Sequence, residues 1–210
     1  MVSVIDYAAL FTAFATLFVV IDPIGLAPIF VALTQGMAPQ KRKAIALRAC
    51  VIAFVILSLF GLLGDSILGF AGISMPAFQI AGGALLFLTA LEMLFELRGK
   101  RRSDKREDDD RDPSVFPLGI PLIAGPGAIA SIILLTNDAR ENSWQFVGVF
   151  GAMFVVILAV VALFMMAGVI ERGLGKTGIL VVSRLFGMLL AALAVQFILN
   201  GLTNFGSAIN

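Results

Sequence analysis

The sequence predicts an all-α membrane protein of six transmembrane helices, built as two inverted three-helix repeats in which the first and fourth helices are broken. Three observations predict it. Hydrophobic residues make up 60% of the 210, against roughly 45–50% in an ordinary soluble domain, and mean hydropathy is +1.02. Charge-free runs occupy 49–64, 66–91, 113–137, 142–170 and 185–210, and Asp22 is the single charge between Tyr7 and Gln40. Two of these apolar stretches are interrupted at related places, by "DPIG" at 22–25 and by "AGPGA" at 124–128.

The spans follow in order near 8–31, 44–64, 77–97, 115–136, 145–170 and 178–204. A crossing helix needs about 20 residues. The charge-free part of the second span is short, and reaches full length if Arg48 snorkels from its end. A β-barrel would need short segments of alternating polarity, whereas these runs are continuous. The start, "MVSVIDYAAL", has no basic region and no small-residue cleavage site, so the first span is expected to be retained. Six spans leave no room for a separate soluble domain.

The loops at 35–48, 97–114 and 171–184 share one side of such a bundle. They carry four, seven and three of the 15 Lys and Arg residues, and the other side has Arg140 alone. The positive-inside rule puts the basic loops in the cytoplasm and both termini outside, which is the topology of a multi-pass inner (plasma) membrane protein. The run "RGKRRSDKREDDDRD" at 98–112 mixes both signs without an apolar residue, the composition of a solvated linker.

Sliding the chain against itself reveals a weak repeat. At an offset of 103, Pro23 falls on Pro126, Ala27 on Ala130 and Ile29 on Ile132; at 104, Leu59 falls on Leu163, Phe60 on Phe164, Gly83 on Gly187, Ala90 on Ala194 and Glu92 on Gln196. The units are 1–103 and 104–210. Each holds three spans, so the second must enter the membrane from the opposite side. In such inverted repeats, paired Gly/Pro interruptions point to the binding site.

A proline inside a helix removes one hydrogen bond and collides with the carbonyl four residues back. The freed carbonyls, of Val19 for Pro23 and Leu122 for Pro126, cannot turn to lipid, so the broken backbone must face protein or a wet cavity. Proline also suits the first position of a helix and aspartate the position before it. Asp22-Pro23 and Gly125-Pro126 are therefore expected to start half-helices near mid-membrane, each with a partial positive charge and orphan N–H donors. Together they would form an anion-binding pocket floored by glycine. The candidate substrate-binding residues are Asp22, Pro23, Ile24, Gly25, Gly125, Pro126, Gly127 and Ala128. Pro28, Pro117, Pro121, Gly82 and Gly83 read instead as kinks and close-packing points. Glu92 either faces the interior or reaches the cytoplasmic interface.

The chain has no histidine and one cysteine, Cys50. Histidine-based catalysis and histidine metal sites are excluded, Cys50 reads as a packing residue, and no enzyme activity, cofactor or nucleic-acid partner is expected. "DPIGLAPIF" in the first span and "PLIAGPGAIAS" in the fourth, separated by a charged loop, resemble the MarC family of bacterial and archaeal inner-membrane proteins. That resemblance covers essentially the whole chain. It implies a polytopic membrane protein with relatives among SnatA-like small neutral amino acid transporters, and it carries over Asp22, Pro23, Gly25, Gly125, Pro126 and Gly127. The expected function is secondary transport of a small zwitterionic amino acid such as glycine or alanine. No nucleotide-binding motif is present, so a coupling ion, H+ or Na+, or the substrate gradient would drive it. A passive channel and a structural or regulatory membrane protein are the alternatives, and a homo-oligomer is compatible with either.

Overall fold

The computed structural model describes residues 6–95 and 113–209; the charged segment 98–112 lies outside them. All seven elements among the described residues are helices: α1 (Tyr7–Ile21), α2 (Pro23–Leu33), α3 (Pro39–Phe70), α4 (Met75–Leu94), a π-helical α5 (Ser114–Ile123), α6 (Pro126–Asp138) and α7 (Ser143–Ile209).

Both expected breaks are present. Asp22 is left-handed (φ 52°, ψ 64°), the one non-glycine residue with positive φ among those described. Its N–H closes α1 on the Phe18 carbonyl and its own carbonyl accepts the Leu26 N–H that opens α2, both at 3.0 Å. Proline then occupies the first turn of α2, where its missing N–H costs nothing. The second break falls between α5 and α6, with Gly125 extended (φ −81°, ψ 168°) before Pro126. The π-helical form of α5 has a sequence cause. Pro117 and Pro121 each lack an N–H to donate, and the wider turn closes on the fifth residue back, as in Leu118 N–H to Pro113 and Ala124 N–H to Gly119.

Among the described residues, five helices are long and apolar enough to cross a membrane: Tyr7–Leu33, Pro39–Phe70, Met75–Leu94, Ser143–Ala167 and Thr177–Gly206. Segment 114–138, in two pieces of 10 and 13 residues, is not among them. The expected loop at 171–184 is not a loop. Two helices, carrying the spans Ser143–Ala167 and Thr177–Gly206, meet there at a kink at Gly175 (φ 63°, ψ 172°). Glycine adopts that conformation without steric cost, so a single residue suffices to interrupt the helix, and Ser183 and Arg184 lie inside the last apolar helix.

The helix ends fix relative directions. Gln145 at the start of α7 bonds the Asp6 backbone at the start of α1, and Arg140, after α6, pairs with Asp65 near the end of α3. At their other ends, Gly127 of α6 approaches Val20 of α1. Helices α1 and α6 therefore run antiparallel. Phe30 of α2 stacks on Phe164 of α7 at 4.4 Å, both buried, and α3 lays Gly61 and Gly64 against Ile132 and Ile133 of α6. Helix α4 also packs closely on the C-terminal arm of α7. A Cβ on Gly83 would stand 2.7 Å from the Ala194 carbonyl oxygen, and one on Gly187 would stand 3.2 Å from that of Ala90. Outward faces carry Val51, Val55, Leu59 and Leu62, side chains suited to lipid.

Candidate functional site

A cavity of about 290 Å³ opens at the start of α6. Its floor is Gly125, Pro126, Gly127 and Ala128. One wall is the stripe Leu85, Leu88, Thr89 and Glu92 of α4, spaced to share a helix face; the other is Leu122 and Ile123 of α5 with Val20 of α1. Its size sits just under the roughly 300–1,000 Å³ of pockets that hold drug-sized ligands, which suits a small solute.

Helix α6 has no side-chain cap. Gly125 supplies no oxygen, Pro126 has no N–H, and the N–H groups of Gly127 and Ala128 point along the axis towards the cavity that these residues line. Such a start attracts anions through its donors and its partial positive charge. The one carboxylate on the cavity wall, Glu92, stands on the opposite helix, and Thr89 turns its hydroxyl to the Leu85 carbonyl at 3.0 Å. The walls combine an anion-attracting end, a carboxylate and leucine side chains.

The first motif is placed differently. Asp22 is 2% exposed, and its Oδ1 accepts the Gly25 N–H at 3.0 Å while Oδ2 accepts from Ser183 Oγ at 3.4 Å. The start of α2 is filled by the chain's own carboxylate. Gly25 is glycine for that reason: a Cβ there would run into Asp22 Oδ2 and come within 2.7 Å of Ser183 Oγ. Among the described residues, Asp22, Pro23, Ile24 and Gly25 do not line the cavity; only Val20, two residues earlier, reaches it. The two helix starts thus do not share one pocket. Sequence reasoning placed Ser183 inside the sixth span without giving it a role, and missed α4's Thr89; the spacing of Thr89 to Glu92 was the available signal. Cys50 is buried on α3, as expected of a packing residue.

The fold and this site define an integral, multi-pass membrane protein with two proline-broken helices and a small cavity at the second break. The chain matches the model of the MarC family integral membrane proteins over residues 7–205, and it belongs to that family. It is 38% identical over 197 residues to a UPF0056 membrane protein of Archaeoglobus fulgidus, covering 91% of each chain. To the UPF0056 membrane protein YhcE of Escherichia coli it is 36% identical over 201 residues, 94% of this chain and 93% of the other. A UPF0056 membrane protein of Aquifex aeolicus is 34% identical over 204 residues, 95% of each. No solved structure matches the chain.

Proposed function

We propose that this protein is a secondary transporter of small neutral amino acids, glycine or alanine in class, across the inner membrane. The observation that carries the reading is the uncapped, glycine-floored start of α6 facing Glu92 across a cavity of about 290 Å³. The solute's carboxylate takes the N–H groups of Gly127 and Ala128, and its ammonium faces Glu92. Leucines around the cavity leave no further polar partners for a large polar side chain. Asp22 serves as the internal cap of α2 rather than as the ammonium partner.

The six-span inverted repeat belongs to the same reading. It counts 114–138 as one crossing in two pieces, as 7–33 is. The approach of Gly83 to Ala194 and of Gly187 to Ala90 supports it. Adding 104 to Gly83 and Ala90 gives Gly187 and Ala194, so one contact maps onto the other with its partners exchanged, the signature of a two-fold relation. Both termini then lie outside, and the cavity, beside the cytoplasmic end of α4, is the inward-facing half of the route.

Uptake of labelled glycine, alanine, leucine and glutamate into proteoliposomes, with proton or sodium gradients imposed, tests the function. Gradient-driven uptake of the two small neutral solutes is expected. Uptake of none of them, with the protein correctly folded, overturns it.

A further inference from the structure

Ser131 is fully buried, and its Oγ has no hydrogen-bond partner among the described residues. Other buried hydroxyls solve this problem locally. Thr34 donates to the Phe30 carbonyl and Thr136 to the Ile132 carbonyl, both at 2.8 Å. Ser131 makes no such bond, and an unmet buried hydroxyl is a standing cost.

Its place in the helix packing suggests what would meet it. Ser131 is one turn beyond Gly127 on the same face of α6, and helical side chains lean towards the N-terminus, so its hydroxyl leans towards the cavity floor. Because α1 and α6 are antiparallel with Val20 beside Gly127, Thr16, one turn before Val20, comes level with Ser131; Thr16 is buried too. On the other flank, α4 packs Gly82 closely beside Ala130, where an added Cβ would stand 3.1 Å from the Ala130 Cβ and 3.8 Å from Leu134 Cδ1. One turn further out, Gln79 is buried and accepts from Asn204 at 3.1 Å. Polar groups thus continue from the cavity along α6 towards the end where Asp6, Asp65 and Arg140 gather.

We propose that Ser131 is a polar station on the outward half of the solute's route, hydrogen-bonding the charged groups of a small zwitterion in transit, with the Gln79–Asn204 pair closing the route beyond it. This rests on the transport reading and adds the path. Two measurements on the full chain test it. Ser131→Cys is treated in proteoliposomes with 2-aminoethyl methanethiosulfonate, and native Cys50, buried in α3, serves as the internal control. The new thiol is expected to react about tenfold faster than Cys50 or more, as access governs thiol reactivity. Ser131→Ala is expected to slow glycine uptake about tenfold, the worth of one hydrogen bond to a charged group, with its melting temperature unchanged or raised. A purely structural serine predicts the reverse: the same gain in stability with uptake intact. A new thiol as unreactive as Cys50, or wild-type uptake by Ser131→Ala, overturns the path while leaving the transport reading standing. A reactive thiol in a protein that takes up no amino acid supports the path and overturns the proposed substrate.

Discussion

The Asp22 carboxylate reaches three residues forward to the Gly25 N–H, at 3.0 Å, and at the same time receives the Ser183 hydroxyl from α7 at 3.4 Å. One residue therefore ends one helix with its backbone, starts the next with its carboxylate and ties both to the far half of the chain.

Substitutions at Asp22 separate its shape from its charge. Asparagine is an equally good cap and tolerates left-handed backbone, whereas alanine loses the cap, about 0.5–2 kcal/mol, and must also hold a conformation costing roughly 1–2 kcal/mol for a residue with a Cβ. Thermal unfolding in detergent is expected to rank Asp22→Asn near wild type and Asp22→Ala well below, with uptake following stability. An inactive but stable Asp22→Asn would show that the charge itself takes part in transport.

Gly25→Ala and Gly127→Ala should fail in different ways. At Gly25 the new methyl meets the capping carboxylate, so stability and uptake of every solute should fall together. At Gly127 it meets the ends of Leu86 and Val20 at 3.0 and 3.4 Å, which can yield, and it narrows the cavity. There, competition uptake should shift towards glycine over larger amino acids by about tenfold or more, the worth of a methyl-sized misfit. Equal losses for all solutes at Gly127 would remove it from the site.

The α4 crossing should tolerate a methyl less well at Gly83 than at Gly187. The first would press on the Ala194 carbonyl oxygen and Ile198 at 2.7 Å, the second on neighbours no closer than 3.1 Å. Gly83→Ala is expected to lower the melting temperature more, by an overpacking cost of about 1–3 kcal/mol. The reverse order would argue against the close approach.

Sidedness follows from the basic loops. In a Cys50→Ala background, a cysteine replacing Gln40 is expected to label from the cytoplasm and one replacing Glu141 from outside; both positions are exposed. Labelling from a common side would sink the six-span reading.

The helical class, both breaks and the two Pro-first half-helices were legible in the sequence because they depend on local chemistry: apolar run length, the missing N–H of proline and the capping habit of aspartate. The role of Asp22 was legible only as a choice between cap and ammonium partner, since deciding it requires knowing which side chain fills the helix start. Ser183 fell inside the expected sixth span but carried no signal of its role, since its bond to Asp22 depends on how the last helix packs. A glycine break of one residue leaves no composition signal. Nothing local marked Ser131 either, as its lack of a partner is a property of three helices packed together.

The difference between the two helix starts bears on stoichiometry. Repetition would suggest two equivalent sockets and two solutes per chain. Asp22 occupies one socket permanently with a covalently tethered carboxylate, while Gly125, at the matching position 103 residues later, leaves the other empty of any side chain. If the proposed transport function holds, a chain so arranged is expected to carry one carboxylate-bearing solute per cycle, its built-in aspartate standing where a second would bind.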